Sequence, residues 1–143
     1  MGEAQRGRRW RKIGLPAKGW FNSESIVYDE SSTMQKLSLD ALARELLERA
    51  AGNAPSRAAE TVVGGHERVL RQTVLAMVAG SALAEHSSPG EGSVYVLRGR
   101  VRLTAGEQAW EGRNGDLLIL PGSPHGLEAV EDSAVLLTVA KLP

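Results

Sequence analysis

Between Ala82 and Leu103 the chain alternates short β-forming runs with polar, glycine-bearing turns, and that rhythm narrows the fold before composition is considered. Val94-Tyr-Val-Leu97 is β-branched and aromatic, and Gly99 punctuates it. Val101 and Leu103 then alternate with Arg100, Arg102 and Thr104, the period-2 pattern of a strand with one buried face. The polar stretch from His86 to Gly92 therefore joins two strands. A second segment, Gly115 to His125, reads as a buried apolar run, Leu117-Leu-Ile-Leu120, that ends in Pro121-Gly-Ser-Pro124 and delivers a histidine directly after the turn. Each segment places a histidine where a strand meets a turn.

The flanking chain has the same character. Arg57 to Val63 predicts a first strand, Gly64 to Glu67 its hairpin turn and Val69 to Ala79 a longer second strand. His66 falls in that turn and is expected to be exposed. For the strand Ser81 to His86, strict alternation sets Ala82, Ala84 and His86 on one face and Leu83 and Glu85 on the other. Trp110, in the run Gln108 to Glu111, reads as barrel core or rim, since a lone strand tryptophan usually packs. Leu127 to Val130 and Ala134 to Ala140 are the last strands; the second is continuously apolar, as expected of a strand covered on both sides.

One helix precedes the strands. Ser38 is suited to the N-cap, Asp40 to the first turn, and Leu39, Leu42, Ala43, Leu46, Leu47 and Ala50 recur at helical spacing over about 39 to 51. Gly52 and Pro55 end it. Its apolar face must be buried on the outside of the barrel or on a partner subunit, because a free helix of this length is marginal in water.

Residues 1–33 differ from the rest. Arg6, Arg8, Arg9, Arg11, Lys12 and Lys18 are interleaved with Trp10, Trp20, Phe21 and Tyr28, without apolar periodicity. This composition predicts a disordered tail rather than a nucleic-acid or lipid-binding arm, and translation from Met34 is a further reading. The expected division is thus a tail at 1–33, a helix and linker at 34–56 and a barrel at 57–143. With 143 residues, one domain is the prior. The zero formal net charge gives no electrostatic case for nucleic acid or an anionic membrane. The absence of cysteine excludes disulfides and thiol catalysis. No window is apolar for long enough to span a bilayer and no signal peptide is evident, so a cytoplasmic protein is expected.

These residues resemble the cupin superfamily, small jelly-roll β-barrels that carry two motifs. Gly80, His86 and Gly99 fall in the pattern of the first, and Gly115, Pro121 and His125 in that of the second. The resemblance covers roughly residues 57 to 140. It departs where Ser88 replaces the second histidine of the first motif, and where Gly92 holds the expected glutamate position with Glu91 one place early. The resemblance implies an all-β, antiparallel cupin-like barrel with one N-terminal helix and a site at its mouth. A small-molecule ligand would be held there by His86, His125 and Ser88; the barrel would serve as a sensor or accessory protein. The alternatives are a metal-dependent enzyme of dioxygenase or isomerase type, with His86, His125 and Glu91 around a divalent Fe, Mn, Ni or Zn, and a structural dimerisation module. A homodimer is expected, because the helix face, the doubly covered last strand and the edge strands all call for cover.

Overall fold

The computed structural model describes residues 34–87 and 91–141. The basic and aromatic stretch at 1–33 and Ser88 lie outside the described residues, and with them the expectations placed there. One helix, α1 (Leu39–Ala51), precedes nine strands: β1 (Arg57–Val63), β2 (Leu70–Met77), β3 (Ala82–His86), β4 (Glu91–Arg98), β5 (Arg100–Ala105), β6 (Gln108–Arg113), β7 (Leu117–Ile119), β8 (His125–Ala129) and β9 (Ser133–Ala140). The strands form two sheets, β1-β2-β9-β4-β7 and β3-β8-β5-β6, and every pairing is antiparallel. The two sheets enclose one apolar interior, the small β-barrel expected from the strand rhythm. Among the described residues, no helix is long and apolar enough to cross a membrane.

Helix α1 starts and stops where its sequence says it should. The Ser38 hydroxyl accepts from the Ala41 N–H at 3.2 Å, and the Gly52 N–H closes the last turn on Arg49 and Ala50 carbonyls. Leu42, Leu46 and Ala50 are buried against Ala58 and Val62 of β1 and Val74 and Ala76 of β2. The helix therefore lies on the outer face of its own barrel. Asp40 also accepts from the Arg98 guanidinium at 3.0 Å, tying the start of the helix to the end of β4.

This packing explains the continuous apolar run of β9. Val135, Leu137 and Val139 point between the sheets, with Leu75, Met77, Val94 and Val96, while Leu136 on the other face borders the helix. Both faces of β9 are thus covered within one chain. At Gly99, φ is +83°, and a Cβ there would run into the Asp132 carbonyl and the Ser133 hydroxyl; only glycine meets both conditions. The buried Ser133 hydroxyl accepts from the Arg100 N–H at 3.0 Å and lies 2.7 Å from the Glu131 carbonyl, so the turn into β9 is locked onto the start of β5.

The run Gly115 to His125 does not form the buried strand its composition suggests. β7 is three residues long and forms the edge of its sheet; Leu118 packs on the interior, but Leu117 is 56% and Ile119 68% exposed. Helix α1 covers β1 and β2 at the opposite edge, so nothing in the described chain shields the outer face of β7. An apolar run signals strand formation without saying which faces find a partner.

On the outer face of the second sheet, Arg102 is hydrogen-bonded to Glu111 at 2.8 Å and Glu128 at 3.3 Å, its cross-strand neighbours on β6 and β8. The Arg102 hydrogen bond, followed by the nearby Arg100 charge, holds the Glu111 carboxyl below its usual range. The stabilisation from Glu111 is therefore in force above the ordinary carboxylate range and lost as pH falls through the lowered value.

The two environments of the apolar side chains separate in stability. Leu46→Ala removes a fully buried anchor of α1 and is expected to lower the unfolding free energy by about 2–4 kcal/mol in urea titration, whereas Val69→Thr, at an exposed residue before β2, changes it by less than about 0.5 kcal/mol.

Candidate functional site

The two motif histidines meet through an irregularity in β3. On β8, His125, Leu127 and Ala129 share the inward face: all are buried, and the two apolar residues belong to the core between the sheets. Leu83 of β3 pairs with Leu127 and is inward with it. The next recorded pair is His86 with His125. Two residues on β8 are thus matched by three on β3, so β3 carries one extra residue between Leu83 and His86. That bulge puts His86 on the inward face beside His125, where uninterrupted alternation would have set it opposite Leu83. The expectation that Ala82, Ala84 and His86 share one face is corrected accordingly. Ala82 and Ala84 are exposed, Leu83 is core, and the bulge re-aims the histidine.

Gly126 accommodates the bulge. A Cβ at this position would lie 3.1 Å from the Leu83 carbonyl and 3.5 Å from the Glu85 N–H, the backbone that carries the extra residue across β8. A glycine inside a strand pattern is the sequence signal that could have revealed the bulge.

The imidazole rings lie 5.4 Å apart between centroids and are inclined at 54°. His125 is fully buried and His86 partly so. The Nδ1 of His125 lies 3.0 Å from the Ser123 carbonyl and the Nδ1 of His86 3.3 Å from the Ala84 carbonyl. A carbonyl only accepts, so in both rings Nδ1 carries the proton and, in the neutral form, Nε2 carries the lone pair. In each case the carbonyl comes from two residues earlier in the chain, so the strand and turn fix the tautomer. The pair presents two hydrogen-bond acceptors or two metal-ligating nitrogens, held by backbone.

The other anticipated residues do not join this pair. Glu91 opens β4 as an exposed residue and pairs with Ala140, in the sheet opposite the histidines. Among the described residues, no three His, Cys, Asp or Glu side chains are gathered so as to hold a metal ion. Two imidazoles are one protein ligand short of a catalytic zinc site or an iron facial triad, so the described donor set does not fit a resident metal of either kind. His66 is exposed in the turn between β1 and β2.

The class of protein defined by this arrangement is a small two-sheet antiparallel barrel with an outer helix and an inward histidine pair on adjacent strands. No family model matches the chain, and no curated protein matches it. Solved structures do. A conserved protein of unknown function from Streptococcus pyogenes is 30% identical, with 64% of this chain and 79% of that chain covered at a TM-score of 0.57. An RmlC-like cupin protein from Desulfovibrio desulfuricans is also 30% identical, with 59% of this chain and 81% of that one covered at a TM-score of 0.53. The chain belongs to the cupin superfamily. A salicylate 1,2-dioxygenase from Pseudoaminobacter salicylatoxidans, 18% identical, superposes over 70% of this chain and 32% of its own at a TM-score of 0.61, a likeness of fold alone.

The bulge has a direct test. Gly126→Val drives two methyl groups against the β3 backbone and is expected to cost about 1–3 kcal/mol of stability, and to abolish the nuclear Overhauser contact between the His86 and His125 rings. Retention of that contact at wild-type stability would show that the bulge does not depend on the glycine.

Proposed function

We propose that the protein is a small-molecule-binding cupin, with His86 and His125 holding the ligand at the barrel mouth. The observation that carries this reading is the inward, tautomer-fixed pair: a buried histidine beside a partly buried one, both held by backbone carbonyls. In a strand whose other inward residues are apolar, two oriented acceptors on one face suit recognition of a polar group on a ligand. A solved barrel of the same fold, the dioxygenase, is in complex with gentisate, which supports small-molecule binding as a use of this architecture. The metal-dependent alternative has less support, because Glu91 lies on the other sheet and no third donor accompanies the pair among the described residues.

A fragment screen monitored through the imidazole resonances tests this. Fragments that shift both His86 and His125 are expected, with affinity falling about tenfold or more in His86→Ala and in His125→Ala while the circular dichroism is unchanged. A screen that moves neither ring would refute ligand binding. Stoichiometric metal in the purified protein, lost on either substitution, would transfer the site to the metal-dependent reading.

The homodimer also stands as a proposal, on different ground from the sequence. The helix face and β9 are satisfied inside the chain, which leaves the outer face of the β4–β7 edge as the support: Tyr95 is 39% exposed, beside the exposed Leu117 with which it pairs, and Ile119 is the next outward residue. Light scattering at micromolar concentration should give twice the chain mass, and Ile119→Lys should return it to one.

A further inference from the structure

We infer that the free edge of β6 pairs with itself: a second copy of this chain lays its own β6 antiparallel along it, centred on Trp110, and joins the two four-stranded sheets into one. This rests on the homodimer proposal and names the strand through which the dimer forms. Trp110 pairs with Leu103, Leu103 with Leu127 and Leu127 with Leu83, so one inward-facing row crosses β6, β5, β8 and β3. Leu103, Leu127 and Leu83 are 6%, 2% and 8% exposed, whereas Trp110 is 69% exposed. A tryptophan on the inner face of a closed barrel would be among its best-buried residues. Trp110 is therefore a rim residue, the second of the two roles its sequence position allows, and Gln108, Ala109 and Glu111 around it are exposed as well.

The backbone of this segment opens outward at alternate residues. β6 ends its sheet, so among the described residues no strand pairs with its other side. The pairing of Arg100 with Arg113 fixes which groups point there. The Arg100 N–H donates to the Ser133 hydroxyl and its carbonyl accepts from the Val130 N–H, both away from β6, while the Arg113 N–H donates to the Asp116 carboxylate at 2.8 Å. That pair is thus non-hydrogen-bonded, and by alternation so are Arg102 with Glu111 and Thr104 with Ala109. Ala109 and Glu111 therefore direct their N–H and C=O groups away from β5, to the free edge. Open backbone groups on such an edge are a template for another strand.

The residues along the edge select the partner and the register. Two-fold pairing must set the edge-facing residues against one another, which leaves few centres. Centred on Glu111 it opposes two carboxylates; centred on Ala109 it opposes Glu107 to the partner's Glu111; centred on Gly112 it needs the Arg113 N–H that Asp116 holds. Centred on Trp110, each Ala109 exchanges both N–H···O bonds with the partner's Glu111. The two indoles then form a non-hydrogen-bonded pair, about 4.5 Å apart at Cα, and cover each other. Further out, Glu107 comes opposite the partner's Arg113. Both are exposed, and among the described residues neither is in an ion pair. The two-fold repeats the contact, so opposite charges close both ends. A second copy supplies this complementary pattern by symmetry, which an unrelated strand would have to reproduce.

The same side of the molecule carries the apolar groups already assigned to the dimer. β6 and β7 end the two sheets, and a Cβ at Gly112 would lie 3.0 Å from Leu118, so the two edges adjoin. Leu117 and Ile119 on β7 therefore flank the junction.

The full chain is measured by light scattering over a dilution series, and twice the chain mass is expected at micromolar concentration. Arg113→Glu and Glu107→Arg each oppose like charges at both ends and raise the dimer dissociation constant about tenfold, and the two together restore it to within about threefold. Ala109→Pro removes an edge-facing N–H that β5 does not use, and gives a monomer at unchanged circular dichroism. The chain has no cysteine, so Trp110→Cys places a single thiol in each copy, and mild oxidation yields a covalent dimer because this cross-strand spacing meets disulfide geometry. A monomeric mass for the parent overturns this inference and the homodimer together. A dimer that Ile119→Lys dissociates, but whose dissociation constant is unchanged in Arg113→Glu and Ala109→Pro, leaves the homodimer standing and overturns pairing through β6. Charge reversals that weaken the dimer singly without rescue in the double variant overturn the register centred on Trp110.

Discussion

The site depends on a mismatch of one residue between β3 and β8. Antiparallel pairing makes opposite residues share a face, so the pair His86 with His125 inherits its inward direction from Leu83 with Leu127 only because β3 spends three residues where β8 spends two. Without the extra residue, the strand would place His86 on the outer face, opposite to Leu83. A histidine there could not approach the inward, buried His125. The bulge lies at the C-terminal end of β3.

Around this end the molecule is held in two layers that share a sheet. The inner layer packs β2, β9 and β4 against β5 and β8, and the outer layer packs α1 on β1 and β2. Because β9 contributes to both, its position is over-determined, and the Gly99 to Ser133 contact fixes β5 to the same strand. β8 is paired on one side with β3 and on the other with β5. His125 therefore sits on a central strand of its sheet, while His86 sits on the edge strand. The pair thus joins a buried imidazole on a strand paired along both edges to a more exposed one on a strand paired along one.

The fold was legible in the sequence because it rests on local signals. Period-2 alternation, turn glycines and the Ser38 cap each report on a few neighbouring residues, and those neighbours determine element type. The barrel motifs likewise brought His86 and His125 to attention. What escaped were features set by chain segments far apart in sequence. The run Leu117 to Leu120 is apolar enough for a core strand, yet its burial depends on α1, about 70 residues earlier, covering the other edge of the sheet. The helix was readable from its spacing, but whether it would cover its own barrel or a partner was not, since an amphipathic face specifies its own burial and not the surface that supplies it. The bulge left a trace in Gly126, which alternation alone passes over.

The same distinction governs Trp110. Its sequence neighbours place it on a strand, and its pairing places it on the inner face, but exposure is a property of how far two sheets diverge, which neither strand encodes by itself. In a closed interior the row Leu83, Leu127, Leu103, Trp110 would grow more apolar and more buried towards the indole. Here burial holds through three members and ends at the fourth, while the adjacent row exchanges leucines for two histidines, an alanine and a glutamine. Polar groups replace apolar ones along the row at the end of β3, and the bulky Trp110 on the adjacent row is left uncovered. Leaving that much aromatic surface in water costs the folded state a burial term of about 2 kcal/mol, a sacrifice at the same end of the barrel where the histidines also displace apolar packing. Two local departures from the best apolar core thus fall on neighbouring rows of one face of the second sheet.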